Sequence, residues 1–206
     1  MLTIWGRNTS SNVMKVLTLC DELGIAYQRE DVGGAFGRNN DPLYLSMNPN
    51  GTVPTIVDAD GTIVWESNAI LRYLCASRGG EALYPAAPVA RAVVDQWLDW
   101  QQTSLNPRMT TLFLGLIRTP EAQRDHAALA AGRDAAEKLF TILDAQLEGR
   151  DFITGSFSIA DIAVGPVLHR WFHLPIERAP LPRLRGYYDR LLARPAYAKH
   201  CAGPLS

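Results

Sequence analysis

Leu2-Thr3-Ile4-Trp5-Gly6-Arg7-Asn8-Thr9-Ser10-Ser11-Asn12-Val13 decides the fold, because the hydrophobic period changes inside it. Leu2 to Trp5 is an apolar run of strand type, closed by Gly6 and the polar loop Arg7 to Ser10. From Ser11 to Leu23 the apolar residues Val13, Val16, Leu17, Leu19, Cys20 and Leu23 fall at helical spacing. Gly24 then stands where a left-handed residue ends a helix. A short strand passed directly to an amphipathic helix is the opening of an α/β unit.

Working outward, Tyr27 to Val32 reads as a second strand and Gly33 to Asn40 as a loop. Asp41 to Met47 is a short helix stopped before Pro49. Val53 to Val57 and Thr62 to Trp65 flank Asp58-Ala59-Asp60-Gly61, a hairpin signature. Glu66 to Arg78 is helical and Gly79-Gly80 closes it. The predicted order is βαβαββα.

Beyond Pro85 and Pro88 the signal is helical only. Val89 to Ile117 and Pro120 to Leu147 read as long amphipathic helices, with Gly149 after the second. A further helix runs from Ser158-Ile159-Ala160-Asp161, a capping-box spacing, to about Phe172, and a last one from Pro182 to Ala193. Expected, then, are an α/β domain over residues 1–80 and an all-α domain over 89–206.

The composition narrows the function classes. The 206 residues carry 20 Lys and Arg against 21 Asp and Glu, a net charge of -1. Nucleic acid calls for a basic footprint, so none is expected as a partner. No apolar run is long enough to span a bilayer, and Met1 to Arg7 lack the order of a signal peptide. Cys20, Cys75 and Cys201 are odd in number and form no CxxC pair, which fits a reducing cytoplasm. His169 and His173 have i,i+4 spacing, but no acidic or cysteine partner accompanies them, so no metal is expected.

Three segments of the first half carry polar residues where ligands gather. Thr9-Ser10-Ser11-Asn12 can cap the first helix, or can face an anion such as a thiolate at that helix's positive end. In Asn50-Gly51-Thr52-Val53-Pro54-Thr55 the proline belongs at a strand's first position. If the Val53–Pro54 bond is cis, the main chain of Val53 faces outward and could pair with an extended peptide. Otherwise the segment is an ordinary loop. Glu66-Ser67-Asn68 opens the third helix, either as a plain cap or as an ammonium and carboxylate site for an amino-acid head group.

Taken together, Ser10 and Asn12, Val53-Pro54, Glu66-Ser67 and the downstream Ser158-Ile159-Ala160-Asp161 resemble the glutathione S-transferases over essentially the whole chain. The run from Trp5 to Val16 is most similar to a bacterial theta-like branch. The resemblance implies a thioredoxin-like domain followed by an all-α domain, and a homodimer. It implies that Ser10 donates to the sulfur of glutathione and that Asn12 assists, with Ser11 beside them. It also implies that Val53, ahead of Pro54, pairs with the cysteinyl unit, and that Glu66 and Ser67 hold the γ-glutamyl end. Asn39 falls where theta members carry a histidine for the glycyl end. No cofactor is implied, glutathione being a co-substrate.

The electrophile is expected between the N-terminal loop and the long fourth helix. Arg108, Met109 and Phe113 are the candidates, Met109 and Phe113 sharing a face. The reaction expected is conjugation of glutathione to a small hydrophobic electrophile. A glutathione-dependent reductase of peroxides or disulfides, and a non-catalytic glutathione- or ligand-binding protein, remain open beside it.

Overall fold

The computed structural model describes residues 1–205. Four short strands form one mixed sheet in the order β2-β1-β3-β4: β1 (Leu2–Trp5), β2 (Tyr27–Glu30), β3 (Thr55–Val57) and β4 (Ile63–Trp65). β1 runs parallel to β2 and antiparallel to β3, and the Asp58–Gly61 turn returns β3 antiparallel into β4. The pleat sorts β1 by alternation. Leu2 and Ile4 are buried in the core with Val13, Val16 and Leu17 of α1 (Ser11–Glu22) and Ile70, Leu71 and Leu74 of α3 (Ser67–Ser77). Trp5 turns to the other face, against Tyr44 of α2 (Pro42–Met47), with ring centroids 6.3 Å apart.

Among the described residues all four strands lie between Leu2 and Trp65, and the regular elements after α3 are helices, apart from two isolated β-bridges at 152–156. α7 (Ile159–His173) is the axis of this second part and is buried almost all round. Its start is tied by Ser158 and Asp161. The Asp161 carboxylate accepts from the N–H groups of Ser158 (2.8 Å) and Ile153 (3.0 Å) and from the Tyr187 hydroxyl (2.9 Å). α1 packs against both α7 and α9 (Pro195–Cys201), so the two parts share one continuous core. Glu22 pairs with Arg194, and Asp21 with Lys199 and His200, across the same seam.

Two of the expected helices differ. The stretch Val89–Ile117 is not one helix but α4 (Pro88–Trp100), a π-turn at Gln101–Leu105, α5 (Asn106–Phe113) and a second π-turn at Leu114–Arg118. Pro107 is the reason for the first break, since it has no N–H to continue the ladder. α6 (His126–Gln146) begins later than Pro120, where Asp125 caps it by accepting from the Ala128 N–H (2.9 Å). α8 (Pro182–Leu192) lies where the spacing predicts a helix; α9 is an addition.

Candidate active site

The turn after β1 is where the candidate residues converge. Gly6 donates to the Glu30 carbonyl (2.8 Å) and Arg7 to that of Val32 (3.0 Å), which extends the β1–β2 pairing into the loop. A Cβ at Gly6 would stand 2.5 Å from Val13 Cγ2 and 3.2 Å from Val53 Cβ. Only glycine lets this loop lie between α1 and the Val53 segment. Ser10 and Val53 are thereby held at one end of the sheet.

Ser10 occupies the N-cap position of α1 with φ −81° and ψ 124°, and its carbonyl accepts from the Met14 N–H (2.9 Å). Its hydroxyl, though buried, makes no capping bond. The capping reading of the segment therefore fails for this side chain. The first-turn N–H groups of α1 have no intrahelical acceptors, and no acidic residue sits among them. The arrangement is a positive helix end with a hydroxyl donor beside it. Ser11, the first helical residue, is buried.

Val53–Pro54 is cis. Pro54 is buried just before β3, and among the described residues neither the N–H nor the C=O of Val53 is hydrogen-bonded. The Tyr44 hydroxyl (2.6 Å) and the Asn48 amide (2.9 Å) both donate to the Thr52 carbonyl and hold the turn from behind. Asn39 donates its amide to the Gly51 carbonyl (3.1 Å), so this side chain is partly spent on bracing the same turn.

At the start of α3, Glu66 adopts φ +70°, a left-handed conformation that a non-glycine residue holds at a cost of about 1–3 kcal/mol. It is exposed, at the N-cap position, while Ser67 and Asn68 behind it are buried. Ser67 Oγ lies 3.4 Å from Asn12 Oδ1. The first and third candidate segments are therefore in contact, and the second adjoins the first through Gly6.

Sequence reasoning passed over Lys15. It is wholly buried, one turn beyond Ser11, and its ammonium donates to Gln101 Oε1 (2.9 Å), Asn68 Oδ1 (3.3 Å) and Ser67 Oγ (3.4 Å). Asn68 in turn donates to the Leu98 carbonyl (3.0 Å), so the cluster fastens α1, α3 and the end of α4 together. Burial pulls the Lys15 pKa down to about 7, against the opposing pull of Glu66. The available signal was a charge set among the apolar residues Val13, Met14, Val16 and Leu17.

The electrophile candidates separate. Phe113 faces a cavity also lined by Thr9, Met14, Pro166, Arg170 and Leu205, immediately beside the Ser10 turn. Met109 does not reach it: the side chain is fully buried in the core. Arg108 points the other way, into a groove with Asp134 and Lys138 of α6. A four-residue step aligned Met109 with Phe113 correctly, but both positions face inward and only Phe113 lies far enough along to reach the cavity.

Other groups are occupied elsewhere. His169 has Tyr188 Oη at 2.7 Å on Nδ1 and the Gly203 carbonyl at 2.8 Å on Nε2, and His173 Nδ1 lies 2.9 Å from the His169 carbonyl. Cys20, Cys75 and Cys201 are free and buried, and burial pushes each thiol up to about 12. No thiol of the chain itself is therefore poised to react at neutral pH. No helix of the described residues is long and apolar enough to cross a membrane.

Comparison with known proteins places the chain in a family. Residues 9–77 match the N-terminal domain of glutathione S-transferases and residues 127–190 the C-terminal domain. Glutathione S-transferase GstB of Escherichia coli is 39% identical over 208 residues, covering 100% of both chains. Glutathione S-transferase F10 of Arabidopsis thaliana is 29% identical, with 96% of this chain and 94% of that one covered. The theta class enzyme of Xanthomonas axonopodis pv. citri, solved with glutathione bound, superposes with a TM-score of 0.95 at 46% identity, over 100% of this chain and 99% of that one. The chain belongs to the glutathione S-transferase family.

Proposed function

We propose that the chain conjugates reduced glutathione to small electrophiles by holding the glutathione sulfur as a thiolate at the start of α1. The carrying observation is Ser10, which stands at the N-cap position while its hydroxyl makes no capping bond. A donor left free at a positive helix end suits an anion on sulfur. Asn12 assists beside it. A free thiol has a pKa of about 8.5, so only a few per cent is ionised at neutral pH. Lowering it by about two units, some 2.7 kcal/mol of preference for the thiolate, makes most of the bound thiol reactive.

The remaining contacts follow the same reading. The unpaired N–H and C=O of Val53 would bond the cysteinyl unit as an added strand does. Exposed Glu66 would hold the γ-glutamyl ammonium, and Ser67 with the first N–H groups of α3 its carboxylate. Phe113 and Met14 would receive the electrophile. For an aryl chloride, sulfur attacks the ring carbon, the C–S bond forms, and chloride leaves with the electron pair of the C–Cl bond. The thiol proton passes to solvent when the thiolate forms. No metal or nucleotide has a part in these steps.

We further propose a cytoplasmic homodimer. The three free cysteines fit a reducing compartment. Trp65 on the edge strand β4 and Val89 and Val93 of α4 leave apolar surface for a second copy. The reading is tested by calorimetry with glutathione and by the rate of conjugation to 1-chloro-2,4-dinitrobenzene. Glutathione binding with turnover is expected; absence of both overturns it. Light scattering should give twice the chain mass.

A further inference from the structure

Most arginines of this chain bond to a carboxylate or a carbonyl, but among the described residues Arg108, which faces α6, does not, and neither do the three Arg7, Arg118 and Arg170. Among the described residues none of the three forms an ion pair or donates a side-chain hydrogen bond. Arg170 lines the cavity beside Ser10, Arg118 shares the Phe113 ring with it, and Arg7 lies near enough for its charge to act on both. The Arg170 guanidinium stacks on the Phe113 ring with its carbon 3.9 Å from the centroid, and that of Arg118 lies 5.8 Å from the same centroid. Arg7 lies in the turn ahead of Thr9, and its stem runs along the backbone of Gly33 and Gly34. A Cβ at Gly34 would come within 2.9 Å of it. Those two glycines, which match no phosphate-binding loop, have this side chain as their neighbour.

The three cations act on one another. Burial, then Arg7 and Arg118, draws the Arg170 pKa down to about 10, and burial together with Arg118 lowers that of Arg7. Among the described residues no carboxylate offsets this. A phenyl face compensates a guanidinium only in part, and like charges brought together at a half-buried site favour a bound anion. The guanidinium fork matches a carboxylate in shape as well as in charge.

Resting on the proposed conjugation, we infer that the electrophile taken by this site carries a carboxylate, received by Arg170 and Arg118 above Phe113 with Arg7 closing the near side. The ring or chain bearing the leaving group then lies on Phe113 and Met14, next to the sulfur at Ser10. The glycyl end of glutathione itself also offers a carboxylate to these arginines, and the test separates the two sources.

The probes are 4-chloro-3-nitrobenzoate and its neutral amide, which share a leaving group and differ in the charge opposite it. With saturating glutathione, kcat/KM is measured for both in the wild type, in Arg170→Gln and in Arg118→Gln. Arg118 is exposed, so its variant keeps the fold even if Arg170→Gln does not. The wild type is expected to favour the acid, and each substitution to lower the acid-to-amide ratio by about tenfold or more, as loss of a charged hydrogen bond does. An unchanged ratio overturns the inference. So does a rise in the KM for glutathione with the ratio intact, which would give the arginines to the glycyl carboxylate. Glutathione affinity of the wild type is measured on the same samples. Binding without preference for the acid overturns this inference alone, whereas no binding overturns the conjugation reading and this inference with it.

Discussion

Replacing Lys15 by methionine should flatten the pH dependence of stability between pH 7.0 and 8.5. In the unfolded chain this amine holds its proton to about pH 10.4. In the folded chain, burial brings the pKa to about 7. Through the interval between the two values the unfolded state binds more protons, so stability rises with pH there. The folded amine is half neutral at pH 7.0 and almost wholly neutral at 8.5. Integrating over that range gives about 1.5 kcal/mol contributed by Lys15, which for a domain of this size is a rise of about 3–6 °C in Tm. Urea unfolding at both pH values, in wild type and in Lys15→Met, reads the difference directly. Groups that titrate alike in the two proteins cancel, and pH 8.5 stays below the raised thiol range of the three cysteines. Equal slopes in the two proteins would refute the reasoning, because a lysine that keeps its proton when buried has its charge compensated by something other than Gln101, Asn68 and Ser67.

Three further substitutions probe separate parts of the molecule. Glu66→Gln should weaken glutathione binding by about tenfold by calorimetry, as loss of one charged contact does, with little effect on Tm because the side chain is exposed. Asp161→Ala should cost about 3 kcal/mol or more in urea unfolding, since the buried N–H groups of Ile153 and Ser158 lose their acceptor together. Phe113→Ala should raise the KM for 1-chloro-2,4-dinitrobenzene severalfold in steady-state kinetics, whereas Arg108→Ala, facing α6 from the opposite side, should leave it within twofold.

The α/β order was legible because strands and helices of the first half alternate in period, and Gly24, Gly61 and Gly79 mark their ends where turns require it. That Ser10, Asn12, Val53, Glu66 and Ser67 stand at the ends of elements was legible for a different reason. Helix starts and a proline before a strand expose backbone donors at predictable places, and such donors are what a peptide-like ligand needs. What escaped notice depends on tertiary contacts. Lys15 reads as a solvated charge until Gln101 and Asn68, remote in sequence, are brought to it. Arg108 and Met109 were misplaced because helical spacing gives relative faces but not which face meets the N-terminal loop. Pro107 and the π-turns on either side of α5 rotate that register further. Arg7 and Arg170 are distant along the chain, and only the packing of α1 against α7 brings them together.

Whether Ser10 donates to the sulfur of bound glutathione is read most directly from thiolate absorbance near 240 nm, titrated against pH with the wild type and with Ser10→Ala. The wild-type complex should ionise about two units below the free thiol, and Ser10→Ala should move that midpoint back up by about one unit or more, with glutathione affinity little changed. An identical midpoint in the two proteins would contradict the assignment and leave the α1 helix end or Asn12 as the group that holds the thiolate.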